Sequence, residues 1–244
     1  MPAFRHGKST RLLLDQHDIS AYFRGTSVNN AADEADSTTY GADIKTYVAG
    51  LPDFGVSLEG LFDGTEGAID EILQASVDSD DTNVLTIAPE GLATGRRVWI
   101  AVADQVSYDI GSPVTDVVSV AANFRGAGLV RSGYSLHTLA PETISGNSTS
   151  IDNTAASTTG GVGTLHVTAN TRDAGSLVVT IEDSADNAAW ATIATFATVN
   201  AGTANVLADT EIVAGTVRRY VRALWTVTGG TTGSYTFAVS FART

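Results

Sequence analysis

Gly7-Lys8-Ser9 has the residue types that close a phosphate-binding loop, where freed backbone amides and a lysine hold phosphate oxygens. That loop needs a second glycine five positions earlier, and position 2 is Pro; the chain also leaves no room ahead of it for the strand that feeds such a loop. Four histidines, His6, His17, His137 and His166, could ligate a metal, but they lie far apart and none stands in an HExxH-type pair. They read as surface or strand histidines. Asp78, Asp80 and Thr82 follow the alternate spacing of a calcium loop, yet the sixth position is Asn83 and the twelfth is Pro89, where a glycine and a bidentate glutamate are required. The charge run 78–81 reads better as solvated residues ending a helix. Asn147-Ser148-Thr149 matches a glycosylation sequon without a secretion signal to give it meaning. No serine stands in a GxSxG elbow. Trp190, Tyr220 and Trp225 could stack on a sugar if they faced outward, although Trp225 sits among Val221, Ala223 and Val227 as a core residue does. No catalytic, cofactor-binding or metal-ligating residue is assigned, no cofactor is implied, and the chain is expected not to be an enzyme.

The totals narrow the class further. At 244 residues the chain can build one large domain or two of ordinary size. Its formal charge of −13 is uneven: 9 Lys/Arg against 20 Asp/Glu up to Ser150, then 5 against 7. An acidic surface repels nucleic-acid backbones, which argues against sequence-specific DNA or RNA binding. Only two lysines occur, Lys8 and Lys45, and no basic run exists. With no cysteine, disulfides and thiolate metal sites are excluded, which leans weakly toward an intracellular folding environment. The apolar core of the N-terminus is three leucines before Asp15, too short for a signal peptide, and no window approaches a membrane span. The expectation is a protein made and folded in the cytoplasm, with no membrane partner.

The elements that would position any site are mostly strands. Residues 1–10 read as a polar arm, and 11–22 as a strand or strand pair turning near Gln16–Asp18. Residues 24–43, rich in Gly, Ser, Asn, Asp and Thr, show no periodicity and read as a long functional loop. The stretch 36–64 (DSTTYGADIKTYVAGLPDFGVSLEGLFDG) organises the front half. It holds a polar turn, an apolar run from Tyr47 to Leu51, a Pro-Asp break, and a strand with Val56, Leu58, Gly60 and Phe62 on one face and Ser57, Glu59 and Leu61 on the other.

Ala68, Ile69, Ile72, Leu73 and Ser76 space as one helix over 65–76, with Glu66, Asp70 and Glu71 on its early turns. Strands follow at 83–88, at 97–103, where both faces are apolar, and at 114–124; Gly126 and Gly128 signal a turn into a hairpin partner at 129–138. Residues 141–162, rich in Ser, Thr, Gly and Asn with almost no large apolar group, read as a linker. Beyond it, alternation at Leu165–Ala169, Leu177–Ile181 and Tyr235–Phe241, further strands at 190–196, 205–207 and 217–227, and 20 Thr among the last 99 positions predict a half-solvated β-sandwich. The fold class expected is mostly β: a sandwich or barrel with one flanking α-helix (1–140), a linker (141–162), and a second all-β sandwich (163–244).

One resemblance is carried by residues of the front half. RLLLDQHDISAYF leads into a polar loop ending in Asp36-x-Thr38-Thr39, and then into Gly50, Leu51, Asp53, Val56, Ser57, Glu59, Gly60, Phe62 and Asp63 ahead of an acidic amphipathic helix. From about Lys8 to Thr138 this series resembles the major tail tube proteins of long-tailed, siphovirus-like bacteriophages. The resemblance implies a tail-tube-type β-sandwich whose copies close hexameric rings, with rings stacked into a tube that conducts viral DNA. It implies that the loop 25–45 reaches into the neighbouring ring, which makes Asn29, Asn30, Asp33, Glu34, Asp36, Thr38, Thr39 and Tyr40 inter-subunit residues. It also implies an immunoglobulin-like exterior domain after the linker. The partners it implies are sister copies, tape measure protein, tail terminator and tip proteins, and DNA in the lumen without sequence-specific binding, within a virion assembled in host cytoplasm. An acidic tube would present like charge to DNA in transit and avoid trapping it. The alternative function is a surface or decoration protein whose C-terminal sandwich binds carbohydrate; a hydrolase built from scattered acids is the remote third.

Overall fold

The computed structural model describes residues 6–79, 81–202 and 206–244. Positions 1–5 of the expected arm, Asp80 of the calcium-like spacing and Asn205 of the expected strand lie outside the described residues. In chain order the strands and helix are β1 (Arg11–Leu14), β2 (His17–Asp18), β3 (Phe23–Asp36), β4 (Tyr47–Leu61), α1 (Ile69–Val77), β5 (Asn83–Ala88), β6 (Arg97–Gly111), β7 (Ser119–Glu142), β8 (Gly146–Asn147), β9 (Ile151–Asp152), β10 (Gly161–Asn170), β11 (Ser176–Ser184), β12 (Trp190–Thr195), β13 (Val199–Asn200), β14 (Ala208–Val213), β15 (Tyr220–Thr228) and β16 (Tyr235–Arg243). The chain is mostly β, and α1 is the one α-helix among the described residues. Its contacts divide it into two compact units. The first comprises Met1–Ala21, Asn83–Val102 and Leu129–Thr244; the second comprises Tyr22–Thr82 and Ala103–Gly128.

In the first unit two sheets face each other. One contains the run β14-β10-β16-β7, and the other runs β12-β11-β15 with β13 on β11 and β8 and β9 on β15. Period-2 alternation does the sorting. Leu177, Val179 and Ile181 of β11 are buried and pair across to Val227, Trp225 and Ala223 of β15. They meet Leu165, Val167, Phe237, Val239 and Phe241 from the facing sheet in one cluster. His137 lies in this layer, its ring 4.5 Å from Trp225 and 4.7 Å from Phe237. The Trp225 indole donates to the Ile144 carbonyl at 3.1 Å, so its polar edge is satisfied at the rim of the core.

β10 and β16 are covered on their other face as well. Leu13, Ala88, Val98 and Ile100 cluster there with Val162, Ala238 and Ala242. The alternating polar residues of β10, expected to face water, are therefore interior, and each needs a partner. His166 finds two: its Nδ1 is 2.7 Å from the Asp15 carbonyl and its Nε2 2.8 Å from the Thr86 hydroxyl. A carbonyl only accepts, so Nδ1 carries the proton and Nε2 accepts from Thr86. Asp15 holds the tight β1–β2 turn at φ 47°. Its carboxylate accepts from the Val84 amide at 2.7 Å and the Asn83 amide group at 2.9 Å.

Asp183 lies in the buried end of β11, beside Glu182 and Ser184. Its side chain is 4 % exposed and accepts from the Arg218 backbone amide and Nε, both at 2.7 Å. Truncating it strands a backbone donor and a guanidinium together, so Asp183→Ala is expected to destabilise the fold by about 2–3 kcal/mol, read as a lower urea midpoint at unchanged slope.

The second unit is the run β3-β4-β7-β6 with α1. β4 alternates as its sequence predicts: Phe54, Val56, Leu58 and Gly60 are buried, while Ser57, Glu59 and Leu61 are exposed. On β7 the matching residues are Val120, Ala122 and Phe124. α1 turns Ile69 and Leu73 inward, and the Tyr108 hydroxyl of β6 donates to Asp70 in its first turn. A Cβ on Gly60 would lie 2.4 Å from the Tyr22 carbonyl, so a glycine is required where β3 enters beside β4.

Three expected features take another form. Gly126 and Gly128 make no turn: β7 runs through them to Glu142. The stretch 141–162 carries β8 and β9, both hydrogen-bonded to β15, and Ser148 closes the join by exchanging bonds with Ala223. Its polar residues pair with a strand edge, which needs backbone groups and not a large apolar side chain. The expected loop 24–43 is in the main a strand, β3, paired to β4 from Phe23–Gly60 to Asp36–Tyr47.

Candidate interaction surface

The β3–β4 hairpin builds the candidate site. Near its base it belongs to the sheet of the second unit. Beyond the Asn30–Phe54 pair it continues as a two-stranded ribbon in which every residue from Ala31 to Asp53 is exposed. The seven ladder positions from Asn30 to Asp36 extend roughly 20 Å at a strand's rise per residue. A two-stranded ribbon with no covered face is marginal in water. This one ends in a turn with its own bonding. The Ser37 amide donates to the Thr46 carbonyl at 2.8 Å, the Thr38 amide to Asp36 at 2.9 Å, and the Thr46 amide to the Thr38 hydroxyl at 3.0 Å. Hydrogen bonds from Thr38 hold the Asp36 carboxyl below its ordinary range. Lys45 stands 3.8 Å from the same carboxylate.

On this scaffold sit five large apolar side chains with nothing over them. Tyr40 and Leu51 are fully or nearly fully exposed, Ile44 is 78 % exposed, and Val48 and Tyr47 are more than half exposed. Among the described residues β3 pairs only with β4, so its outer edge carries no partner strand there. A long open edge joined to exposed apolar groups is a template for another chain, and Asp33, Glu34 and Asp36 are the kind of edge charge that restricts which chain it accepts.

All eight residues singled out in the sequence therefore lie on this hairpin. Asn29, Asn30, Asp33, Glu34 and Asp36 are on β3, and Thr38, Thr39 and Tyr40 are in its turn. The sequence reading gave Tyr47 to Leu51 as an apolar run but did not single out Ile44, Tyr47, Val48 or Leu51 as contact residues. Their signal was present: the facing segment 33–39 has no large apolar residue with which they could share a core.

At the ribbon's base, the sheet face opposite the buried one is polar. The Ser57 hydroxyl donates to Asn123 at 2.7 Å, and Asn123 donates to Ser107 at 2.8 Å, a chain of bonds across β4, β7 and β6. These groups border a shallow groove of about 320 Å³ closed at one end by the Arg125–Asp53 pair at 2.6 Å. Its lining offers hydroxyl and amide groups for hydrogen bonds.

The residues with possible chemistry are not assembled into a centre. Gly7-Lys8-Ser9 form an exposed 3-10 turn capped by the His6 ring. His17 is on β2, while His137 and His166 are in separate parts of the first unit's interior; among the described residues no three His, Asp or Glu side chains gather as a metal site would. Trp225 is core, and one face of Trp190 is covered by the Arg222 guanidinium at 4.0 Å. Among the described residues no helix is long and apolar enough to cross a membrane.

No protein-family model and no curated protein matches the chain. Solved structures do. A chain in the virion of a native gene transfer agent particle matches at 16 % identity and a TM-score of 0.43, over 52 % of this chain and 97 % of that one. A chain from the tail of an empty gene transfer agent particle with C6 symmetry matches over the same shares, at 16 % identity and 0.42. The Dit protein of SPP1, described as a hub adsorption apparatus of phages infecting Gram-positive hosts, matches at 14 % identity and 0.37, over 96 % and 98 %.

Proposed function

We propose that the chain is a structural subunit of a phage tail, in the manner of a tail tube protein: copies associate into hexameric rings, and the rings stack into a tube through which DNA passes. The ribbon carries this reading. A two-stranded arm that leaves its own fold, buries nothing, and bears Tyr40, Ile44, Tyr47, Val48 and Leu51 in the open is stable in use only when another surface covers it. The sequence series from Asp36 to Asp63 supports the same reading. A contact made by an arm on a distant surface of the next copy is heterologous, and such contacts generate rings and filaments where a twofold contact would stop at a dimer. In this reading the protein carries out no reaction. Its partners are sister copies, the tape measure, terminator and tip proteins of a tail, and DNA held without sequence readout, and it resides in the virion.

Electron microscopy of the purified full chain at high concentration, alone and with virion components, tests the proposal. Rings of six or stacked tubes are expected. A monomer under every one of those conditions would contradict it.

A further inference from the structure

A second candidate site lies in the first unit. A cavity of about 220 Å³ opens among Arg97, Ser132, Tyr134, Asn153, Phe241 and Arg243. Drug-sized ligands occupy roughly 300–1,000 Å³, so what fits here is smaller, on the scale of one sugar ring.

Its charge is unusual for this protein. The chain carries −13 overall, yet two arginines line this one cavity and neither pairs with a carboxylate among the described residues. The nearby acids are already engaged. Asp183 is taken by Arg218, with Nε at 2.7 Å, and Asp152 by Arg219 through two bonds at 2.7 and 2.6 Å. Arg243 is fixed by backbone carbonyls instead: it donates to Ala155 at 2.6 Å, to Arg219 at 3.2 Å and to Arg218. Its Nε–H is buried and has no acceptor. The Arg97 guanidinium carbon sits over the Tyr134 ring, 4.6 Å from its centroid, a cation–π contact that holds the group beside the cavity. Two positioned guanidinium groups with free donors suit a planar or tetrahedral oxyanion, which accepts such donors in pairs. Ser132 and Asn153 add neutral hydrogen-bonding groups, and the Phe241 ring an apolar wall.

We propose that this cavity binds a small oxyanion-bearing ligand, a carboxylate or phosphate carried on a hydroxylated body. The proposal is independent of how copies of the chain assemble.

Calorimetric titration of the full chain with three matched probes tests it: glucuronate, glucose 6-phosphate and neutral glucose. At least one anion is expected to bind with a dissociation constant of about 1 mM or tighter, more weakly as salt is raised, and glucose is expected not to compete. Which anion binds tells whether carboxylate or phosphate is the favoured source. Arg97 is exposed, so Arg97→Gln keeps the fold, checked by circular dichroism, and is expected to weaken binding about tenfold. Arg125→Gln, on the second unit, is expected to leave it unchanged. Failure of both anions to bind, equal binding of glucose, no effect of Arg97→Gln, or an equal effect of Arg125→Gln would each overturn the proposal.

Discussion

Replacing 31–53 by a two-residue Asn-Gly turn is expected to leave a folded protein that no longer assembles. The cut falls one position beyond the Asn30–Phe54 pair, so the remaining strands are still in register, and Asn-Gly is the sequence a two-residue hairpin turn prefers. Every residue removed is exposed, and the buried set of the second unit (Phe54, Val56, Leu58, Ile69, Leu73, Val120, Ala122, Phe124) is untouched. The change in unfolding free energy is therefore expected to stay within about 1 kcal/mol, while sedimentation velocity shifts from large species to a monomer or an isolated ring. Loss of cooperative unfolding would show that the ribbon is part of its own fold. Undiminished assembly would show that it is not the contact.

Acid is expected to unfold the protein through its histidines. Burial pushes both His137 and His166 down to about 4, and lowers His17 as well. The sign follows from where protons bind. Between about pH 6.5 and pH 4 the unfolded chain holds a proton on each histidine that the folded chain does not, so stability falls as pH falls across that window. A displacement of this size corresponds to about 3 kcal/mol per histidine at its full extent, and two of them rival the whole stability of an ordinary domain. Glu142, 3.5 Å from His137 Nε2, and Asp15 both have carboxyls raised by burial, which works in the opposite direction near the acid end. Urea unfolding followed from about pH 7 to pH 4 should show a falling midpoint, with a shallower slope in His137→Phe. A midpoint independent of pH would remove the claim that these rings are buried neutral.

How much of this was legible in the sequence depended on what the pattern reports. Hydrophobic alternation reports burial, so β4, β11, β15 and β16 were readable, and so was α1, whose Ile69, Leu73 and Ser76 are buried as their spacing requires. It does not report pairing alone. β3 is as regular a strand as β4, yet neither face of its outer half is covered, so selection for apolar residues every second position never arose and the segment looked like loop. β10 shows the converse: Thr164 and His166 alternate with Leu165 and Val167 as if solvated, but both faces are interior and the polar groups are satisfied by Thr86 and by the distant turn at Asp15. The eight candidate residues could be placed together because they are adjacent in the chain. The cavity of Arg97 and Arg243 could not, because its lining comes from five separate strands and the segment after β9, and no local spacing records it.

Amide hydrogen exchange across residues 29–36, in isolated and in assembled protein, tests the central claim most directly. In the lone chain the outward-facing amides of β3 have no acceptor and should exchange quickly, while those bonded to β4 lag behind. In the assembly the outward set should become protected, because another copy supplies the missing carbonyls or covers them. Assembled particles in which these amides still exchange at the free rate, or a lone chain in which they are already protected, would contradict the account.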